Sequence, residues 1–397
     1  MRCDLGVQEI IMVEKSLLAV VNKGGQTKTR DSNLELFRII TMLFIVAHHY
    51  VVNSGLTAAD GPIAVSPTSP HSIFLLLFGA WGKIGINCFV MITGYFMCKS
   101  NITAKKFTKL LCEVMFYRIV LFLIFLLTGY EDFSVNVFVK TIVPIVSIKY
   151  KFDDCYMIFF LFIPFLNVLI RHISERTHFF LILLSCFTYV LFGTLKIEPF
   201  GLNMNYVSWF MVLYVIASYI SLYPKKWLNN TKICGILLLL FVLMPAASVV
   251  CCAYLGKRFN MFIPFYFVTD SNTFLAVAVG VFAFLFFKNL RIPYNKFINT
   301  VAASTFGVLL IHANSDTMRR WLWNDTLDIV GHYGDELMPL YALGCVIGIF
   351  TICSVIDIIR INLLEKLFFK WWDKHWPGFY NAYKMKENKI FKKLNIN

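Results

Sequence analysis

The chain has 397 residues, of which 58% are hydrophobic and only 15% are charged. A soluble domain carries about 25% charged residues, so this composition leaves too little polar surface for a soluble fold. The net charge of +14 could suit a nucleic-acid partner, but the basic residues alternate from loop to loop between apolar segments. The pattern predicts an all-α protein whose solvent is the lipid bilayer and which binds no nucleic acid.

Ten apolar segments are long enough to cross the ~30 Å hydrocarbon core of a bilayer as helices. The predicted spans are 34–52, 73–97, 111–129, 154–171, 178–195, 206–223, 233–255, 272–288, 298–314 and 338–360. The further segment 135–149 is apolar but carries Lys140, Pro144 and Lys149. These residues favour an interfacial or half-inserted helix over an eleventh span.

Most of the 37 Lys and Arg residues fall in alternate loops, which become cytoplasmic if the N-terminus is cytoplasmic. This asymmetry predicts that both ends of the chain lie on the cytoplasmic side. The predicted organisation is a cytoplasmic N-terminal segment 1–33, a membrane domain 34–360, and a basic, aromatic cytoplasmic tail 361–397. The composition of the tail suits an amphipathic helix on the inner leaflet.

The eleven cysteines include no Cys-x-x-Cys pair, and most of them lie inside apolar runs. They are therefore expected to be small hydrophobic side chains. The sequence predicts no metal site.

The first span carries the densest set of ionisable side chains in the membrane domain: Glu35, Arg38, His48 and His49. At about 100° per residue, Glu35 lies about 60° from Arg38, and His49 returns to within about 20° of Arg38. One helix face therefore carries a cation near the cytoplasmic end and an imidazole roughly 16 Å further along the axis. His48 points about 100° away, which favours packing or hydrogen bonding. This face has two interpretations. It is either a functional site, or a structural set in which Arg38 is a basic anchor, Glu35 is its ion-pair partner and the two histidines form a polar pair between helices.

Other polar residues lie inside or beside later spans. Glu113 and Arg118 are about 140° apart on a helix, so each needs a partner on another span. Lys83 and Glu113 lie near helix ends, where we expect their charges to reach the interface. Gly85 and Gly94 are expected to let neighbouring backbones approach closely.

These residues resemble the acyltransferase 3 family of integral membrane acyltransferases. In that family an acidic residue precedes an arginine by three positions and a histidine follows eleven later, as Glu35, Arg38 and His49 do here. Three departures are Thr93 for the usual serine, Leu309 for tyrosine, and Ala313 where aspartate often follows the histidine. Other matching segments, within a resemblance covering about residues 33–360, are Phe89-Val-Met-Ile-Thr93-Gly94-Tyr95, Pro164-Phe-Leu-Asn167, Trp209-Phe-Met-Val-Leu-Tyr214 and Phe306-Gly-Val-Leu-Leu-Ile-His312.

The resemblance implies transfer of an acyl group, usually acetyl, from cytoplasmic acyl-CoA to a hydroxyl of a cell-surface or lipid-linked glycan. The donor is a substrate, and no bound cofactor is expected. The resemblance, together with composition, implies a multi-pass protein of a bacterial cell membrane.

The same resemblance assigns roles to individual residues. Arg38 would bind donor phosphates, with help from Lys105, Lys106 or Lys109. His49 would act as a general base or as a transient acyl carrier, with Glu35 orienting Arg38. Residues that would close the site or hold the acceptor are Arg118, His312 and Arg319.

A transporter or flippase of glycans or small solutes is the principal alternative, because a polar-lined bundle could also move solutes. Transporters often pair Gly- or Pro-broken helices in two related halves, and no such pairing is visible in this sequence. A non-catalytic scaffold would leave the polar face of the first span unexplained.

Overall fold

The computed structural model describes residues 31–143, 152–197 and 205–378, and within these ranges the chain is helical and contains no strand. Residues 1–30 of the predicted N-terminal segment, residues 144–149 of the predicted interfacial helix, and the tail from 379 onward lie outside the described residues. The α-helices in chain order are α1 Ser32–Val52, α2 Pro62–Val65, α3 Pro70–Gly79, α4 Gly82–Met97, α5 Ala104–Leu127, α6 Val135–Ile142, α7 Phe152–His172, α8 Glu175–Ser185, α9 Phe192–Leu195, α10 Tyr206–Leu222, α11 Thr231–Phe259, α12 Phe274–Asn289, α13 Lys296–Ala303, α14 Thr305–His312, α15 Asp316–Arg319 and α16 Met338–Arg360.

Seven helical stretches of the described chain are long and apolar enough to cross a membrane. An eighth arises if the pair Lys296–His312 and Asp316–Thr326, bent by 95°, forms one span. Two shorter apolar helices, α10 and α12, bring the helical segments to the ten positions predicted from the sequence. The all-α polytopic fold is thus confirmed, while the number of crossings and the side of each terminus stay predictions.

Helix α4 lies at the centre of the bundle and packs against α1, α10 and α12. A Cβ at Gly85 would lie 2.8 Å from Ile45 of α1, and one at Gly94 would lie 2.9 Å from Ala217 of α10. The predicted role of these glycines in close packing is confirmed. By contrast, α8 and α11 lie at the periphery, where leucine and isoleucine side chains such as Leu184 and Ile236 are more than half exposed and suit contact with lipid.

Two buried amides join the central helices through hydrogen bonds. The Asn87 side chain donates to the carbonyls of Ser271 and Ala276 and accepts from the Trp209 indole at 2.9 Å. In the same way Asn167 accepts from the Tyr214 hydroxyl at 2.6 Å and donates to the carbonyls of Met97 and Ser100. Three residues from the matching sequence segments, Asn167, Trp209 and Tyr214, therefore serve to hold the bundle together.

Glu113 and Arg118 each pair with another helix, as their spacing predicted. Glu113 forms an ion pair with Arg360 of α16, with 3.0 Å between Oε1 and Nη2, while Arg118 contacts Asp153 and Asp154 of α7 at 2.5 Å each. The expectation that Glu113 reaches the interface is wrong, because its side chain is buried against Arg360. A buried carboxylate without a cation would lower the stability of the fold by several kcal/mol. Arg360, and not the membrane interface, therefore stabilises the charge of Glu113.

The last helix does not end at the predicted start of the tail. After α16 a π-helical turn, Ile361–Glu365, leads into helix that continues to Gly378. Glu365 contacts Arg360 at 3.0 Å and Lys109 of α5 at 2.5 Å. The described part of the tail is therefore anchored to the bundle, and its placement on a leaflet stays a prediction.

Candidate functional site

The polar face of α1 begins with the predicted pair of Glu35 and Arg38, whose charged groups lie 3.6 Å apart. The Arg38 side chain is 24% exposed. Within the described ranges its guanidinium makes no hydrogen bond, and the buried Nε has only the 3.6 Å ion-pair contact with Glu35. Both residues line a cavity of about 390 Å³ together with Lys109 and Phe89. Arg38 therefore presents unused N–H donors to an internal space.

His49 lies further along α1 and is hydrogen-bonded to His312 of α14, with 2.9 Å between His49 Nδ1 and His312 Nε2. His312 Nδ1 lies 2.6 Å from the Val308 carbonyl oxygen, which can only accept, so Nδ1 carries the hydrogen. In a neutral His312 ring, Nε2 is then the acceptor, and His49 Nδ1 must donate to it. This assignment leaves His49 Nε2 with a free lone pair.

His49 lines two small adjoining cavities of about 80 and 150 Å³, which we call the histidine chamber. Ile86, Phe152 and Leu309 form apolar walls common to both cavities. Polar side chains gather in the larger cavity: Lys83, Asp153, Tyr206, Asn314 and Arg319. The chamber thus combines one imidazole with several hydrogen-bonding groups in an otherwise apolar bundle.

Lys83 is turned toward the histidine chamber. Its ammonium donates to the Tyr206 hydroxyl at 2.9 Å and lies 5.6 Å from the centre of the Tyr206 ring. The expectation that Lys83 extends to the membrane interface is therefore wrong. The Tyr206 hydroxyl stabilises its charge beside His49.

Phe89 of α4 forms a wall between the Arg38 cavity and the histidine chamber, because it lines both. Its ring stacks on Phe306 with centroids 6.2 Å apart, and the Arg38 guanidinium lies 5.9 Å from its centre. A molecule held at Arg38 would reach His49 past this ring. The two polar groups of α1 therefore belong to neighbouring spaces, as the shared helix face suggested.

The predicted phosphate-binding lysines separate in the structure. Lys109 lines the Arg38 cavity, where its ammonium also contacts Glu365. Lys105 instead pairs with Asp373 at 2.7 Å, and Lys106 donates to the Ser100 hydroxyl and the Asn101 carbonyl. Of the three lysines, only Lys109 is placed to act with Arg38.

The three residues predicted to close the site or hold the acceptor also differ in position. His312 bonds to His49 directly, and Arg319 lines the histidine chamber while pairing with Asp316 at 2.9 Å. Arg118 does not line either cavity in the described structure, and it reaches the chamber only through Asp153.

Sequence reasoning missed Asp153, Tyr206 and Asn314 as chamber residues. A signal for Asp153 was available, because Arg118 required an anionic partner on another span and the pair Asp153-Asp154 begins one. Tyr206 and Asn314 carry no such signal, since a lone tyrosine or asparagine at a helix end is common in membrane proteins. Among the described residues, no group of three or more His, Cys, Asp or Glu side chains could hold a metal ion.

A bundle of apolar helices that encloses a histidine and a cavity lined by charged side chains defines a multi-pass membrane protein with an internal site. The sequence model of the acyltransferase domain family matches residues 31–358. The chain therefore belongs to the acyltransferase 3 family, and it is a membrane acyltransferase. No curated protein and no solved structure matches it. The match favours the acyltransferase interpretation of the sequence over the transporter.

Proposed function

We propose that this acyltransferase moves an acetyl group from acetyl-CoA to a hydroxyl of a cell-surface or lipid-linked glycan in a bacterial cell membrane. The observation that carries the proposal is the lone pair of His49 Nε2. It belongs to a ring that lines the histidine chamber and is fixed in one tautomer by His312. A hydroxyl entering the chamber would meet an oriented base.

The reaction exchanges a thioester for an ester. His49 Nε2 accepts the hydroxyl proton while the oxygen attacks the thioester carbonyl, and the carbon–sulfur bond then breaks. The imidazolium returns its proton to the departing thiolate, so coenzyme A leaves as the thiol. The alternative route, in which Nε2 carries the acetyl group transiently, uses the same lone pair. In both routes the His312 hydrogen bond stabilises the ring when it is positively charged.

The donor side of the proposal rests on the Arg38 cavity. An arginine with unused donors binds phosphate in bidentate fashion, and Lys109 adds a second positive charge. If the N-terminus is cytoplasmic, as the distribution of basic loops predicts, this cavity opens toward the cytoplasmic supply of acetyl-CoA. The thioester would then extend past Phe89 toward His49.

The acceptor side rests on the polar lining of the chamber. Lys83, Asp153 and Asn314 offer both donors and acceptors, which suits the hydroxyl groups of a sugar. In the predicted orientation the chamber lies toward the outer end of α1, where a surface or lipid-linked glycan would approach.

The decisive test compares two hydrogen-bonded histidines in purified full-length protein. His49→Ala should reduce acetyl transfer to a glycan acceptor at least ~100-fold, since general acid–base catalysis contributes about 10²–10⁴-fold. His178→Gln is the control, because His178 is buried and bonds to the Val215 carbonyl outside both cavities. Transfer is followed with labelled acetyl-CoA, and acetylated surface glycans are compared by mass spectrometry. Unchanged transfer in His49→Ala would refute the assignment.

A further inference from the structure

A third cavity, of about 340 Å³, opens beside the start of α1. We call it the Arg291 cavity. Its walls are the first turn of α1, the last turn of α12 and the segment that leads into α13, and its polar and aromatic lining includes Asp31, Tyr95, Lys288, Arg291 and Tyr294. Asp31 also lines the Arg38 cavity, so the two spaces adjoin at this residue.

Two cations face the Arg291 cavity without an anionic partner in the described chain. Lys288 donates to the neutral side chain of Asn229 at 2.7 Å. Arg291 has neither a hydrogen bond nor an ion pair with any described residue. Asp31 is the single carboxylate in the lining, so the cavity keeps an excess of positive charge. The N-terminal end of α1 adds a partial positive charge at the same wall.

The walls of the cavity are held together by side-chain hydrogen bonds. Asn33 of α1 donates to the carbonyls of Phe287 and Lys288 at 3.0 Å each. The Ser32 hydroxyl accepts from the Asn295 backbone N–H at 2.9 Å and from the Asn299 side chain at 3.2 Å. These bonds tie three helices at one corner, so the cavity is formed before any ligand arrives, which lowers the entropic cost of binding.

We propose that the Arg291 cavity binds the 3′-phosphoadenosine end of the acyl-CoA donor, an inference that rests on the proposed function. The order of groups in acyl-CoA is acyl, pantetheine, pyrophosphate and 3′-phosphoadenosine. The order of spaces along α1 is the histidine chamber, the Arg38 cavity and the Arg291 cavity. Laid along this path, the donor places its pyrophosphate at Arg38 and Lys109, and its 3′-phosphate at Lys288 and Arg291.

The aromatic lining fits the remaining part of this ligand. Tyr95 and Tyr294 line the Arg291 cavity, and stacking of a base on an aromatic side chain stabilises a bound nucleobase. A lipid headgroup also supplies a phosphate and could enter from the membrane surface. A headgroup lacks a purine and would leave the adjoining Arg38 cavity unfilled, so acyl-CoA would contact more of the residues that line the two cavities.

The test removes one charge from the protein or one phosphate from the donor. Arg291→Ala and Lys288→Ala should each raise KM for acetyl-CoA about tenfold with kcat unchanged, because a hydrogen bond between charged groups contributes about that factor. Acetyl-3′-dephospho-CoA lacks only the 3′-phosphate. With this donor the wild-type KM should rise, and the two substitutions should raise KM little further. Lys296→Ala is the matched control, since Lys296 is exposed nearby and does not line the cavity.

Each outcome decides between the alternatives. If the substitutions raise KM equally with both donors, or raise it with neither donor, the subsite proposal is wrong. Equilibrium binding of coenzyme A to the full-length protein in phosphatidylcholine nanodiscs supplies a readout independent of turnover. If Arg291→Ala weakens this binding but wild type transfers no acetyl group, the subsite stands and the proposed function fails. If the variant instead changes only the binding of added phosphatidylglycerol, the cavity is a headgroup site and the proposal is wrong.

Discussion

Two arginines inside the bundle are held in opposite ways. Arg118 is 3% exposed and contacts two carboxylates, Asp153 and Asp154, of a neighbouring helix. Arg38 is 24% exposed and has one loose contact of 3.6 Å with Glu35, while its guanidinium faces a cavity. The same residue type thus joins helices in one place and is available to a ligand in the other.

The difference teaches how to separate structural from binding charges within a membrane domain. An ionisable side chain in a span is costly wherever it lies, and on that ground alone both arginines qualify as functional candidates. What separates them is how many of their N–H groups are already used by the protein. Three substitutions would test this distinction, beginning with the one of largest expected effect.

Arg118→Met should lower the free energy of unfolding by about 3–5 kcal/mol, because the buried carboxylate of Asp154 and the partly buried one of Asp153 would lose their cation. The thermal unfolding temperature and yield of the purified protein in detergent measure this loss. Adding Asp153→Asn and Asp154→Asn should restore part of it, since the repelling charges are then gone. If Arg118→Met unfolds at the wild-type temperature, the comparison between the two arginines is wrong.

Arg38→Ala should lower the unfolding temperature much less than Arg118→Met, because Glu35 loses a single contact of 3.6 Å and lines a cavity. It should weaken acetyl-CoA binding about 10–100-fold, the range for hydrogen bonds to charged groups. Arg38→Lys should recover only part of the affinity, because an ammonium cannot make the bidentate contact of a guanidinium. Equilibrium binding of acetyl-CoA measures both variants. Arg176→Ala is the control, because the Arg176 guanidinium lies over Phe180 away from the cavities. An equal loss of acetyl-CoA affinity in this variant would show that Arg38 acts only through the overall positive charge of the protein.

Glu35→Gln should have the smallest effect. A partly exposed ion pair contributes about 0–1 kcal/mol, so donor affinity should change by less than about fivefold. A loss of transfer as large as that of His49→Ala would show instead that Glu35 takes part in the reaction, and rates with saturating donor would reveal it.

Much of the fold could be predicted from the sequence, because the bilayer imposes a strict relation between apolar length and helix. The spacing rule also showed that Glu113 and Arg118 could not pair with each other. The breaks were not predictable: the 95° bend between His312 and Asp316 and the helix that continues beyond Arg360 depend on packing between distant segments.

The positions of site residues along one helix could be predicted, but the contacts between residues of different helices could not. Periodicity placed Glu35, Arg38 and His49 on one face, and the structure shows that face lining two adjoining spaces. The direct bond between His49 and His312 joins residues 263 positions apart, a distance over which no local pattern acts. Lys83 was expected at the interface for the same reason: its partner, Tyr206, lies in the distant helix α10, and no local pattern connects the two residues.

Phe89 gives the proposed path of the acyl group an aromatic wall. The Arg38 cavity lies on one side of its ring and the histidine chamber on the other. In the proposed reaction the acyl group would pass this ring, and a wall of this kind would keep water and ions on its two sides from forming a continuous file. A cell that stores energy as an ion gradient could then keep such an enzyme in its membrane without discharging that gradient.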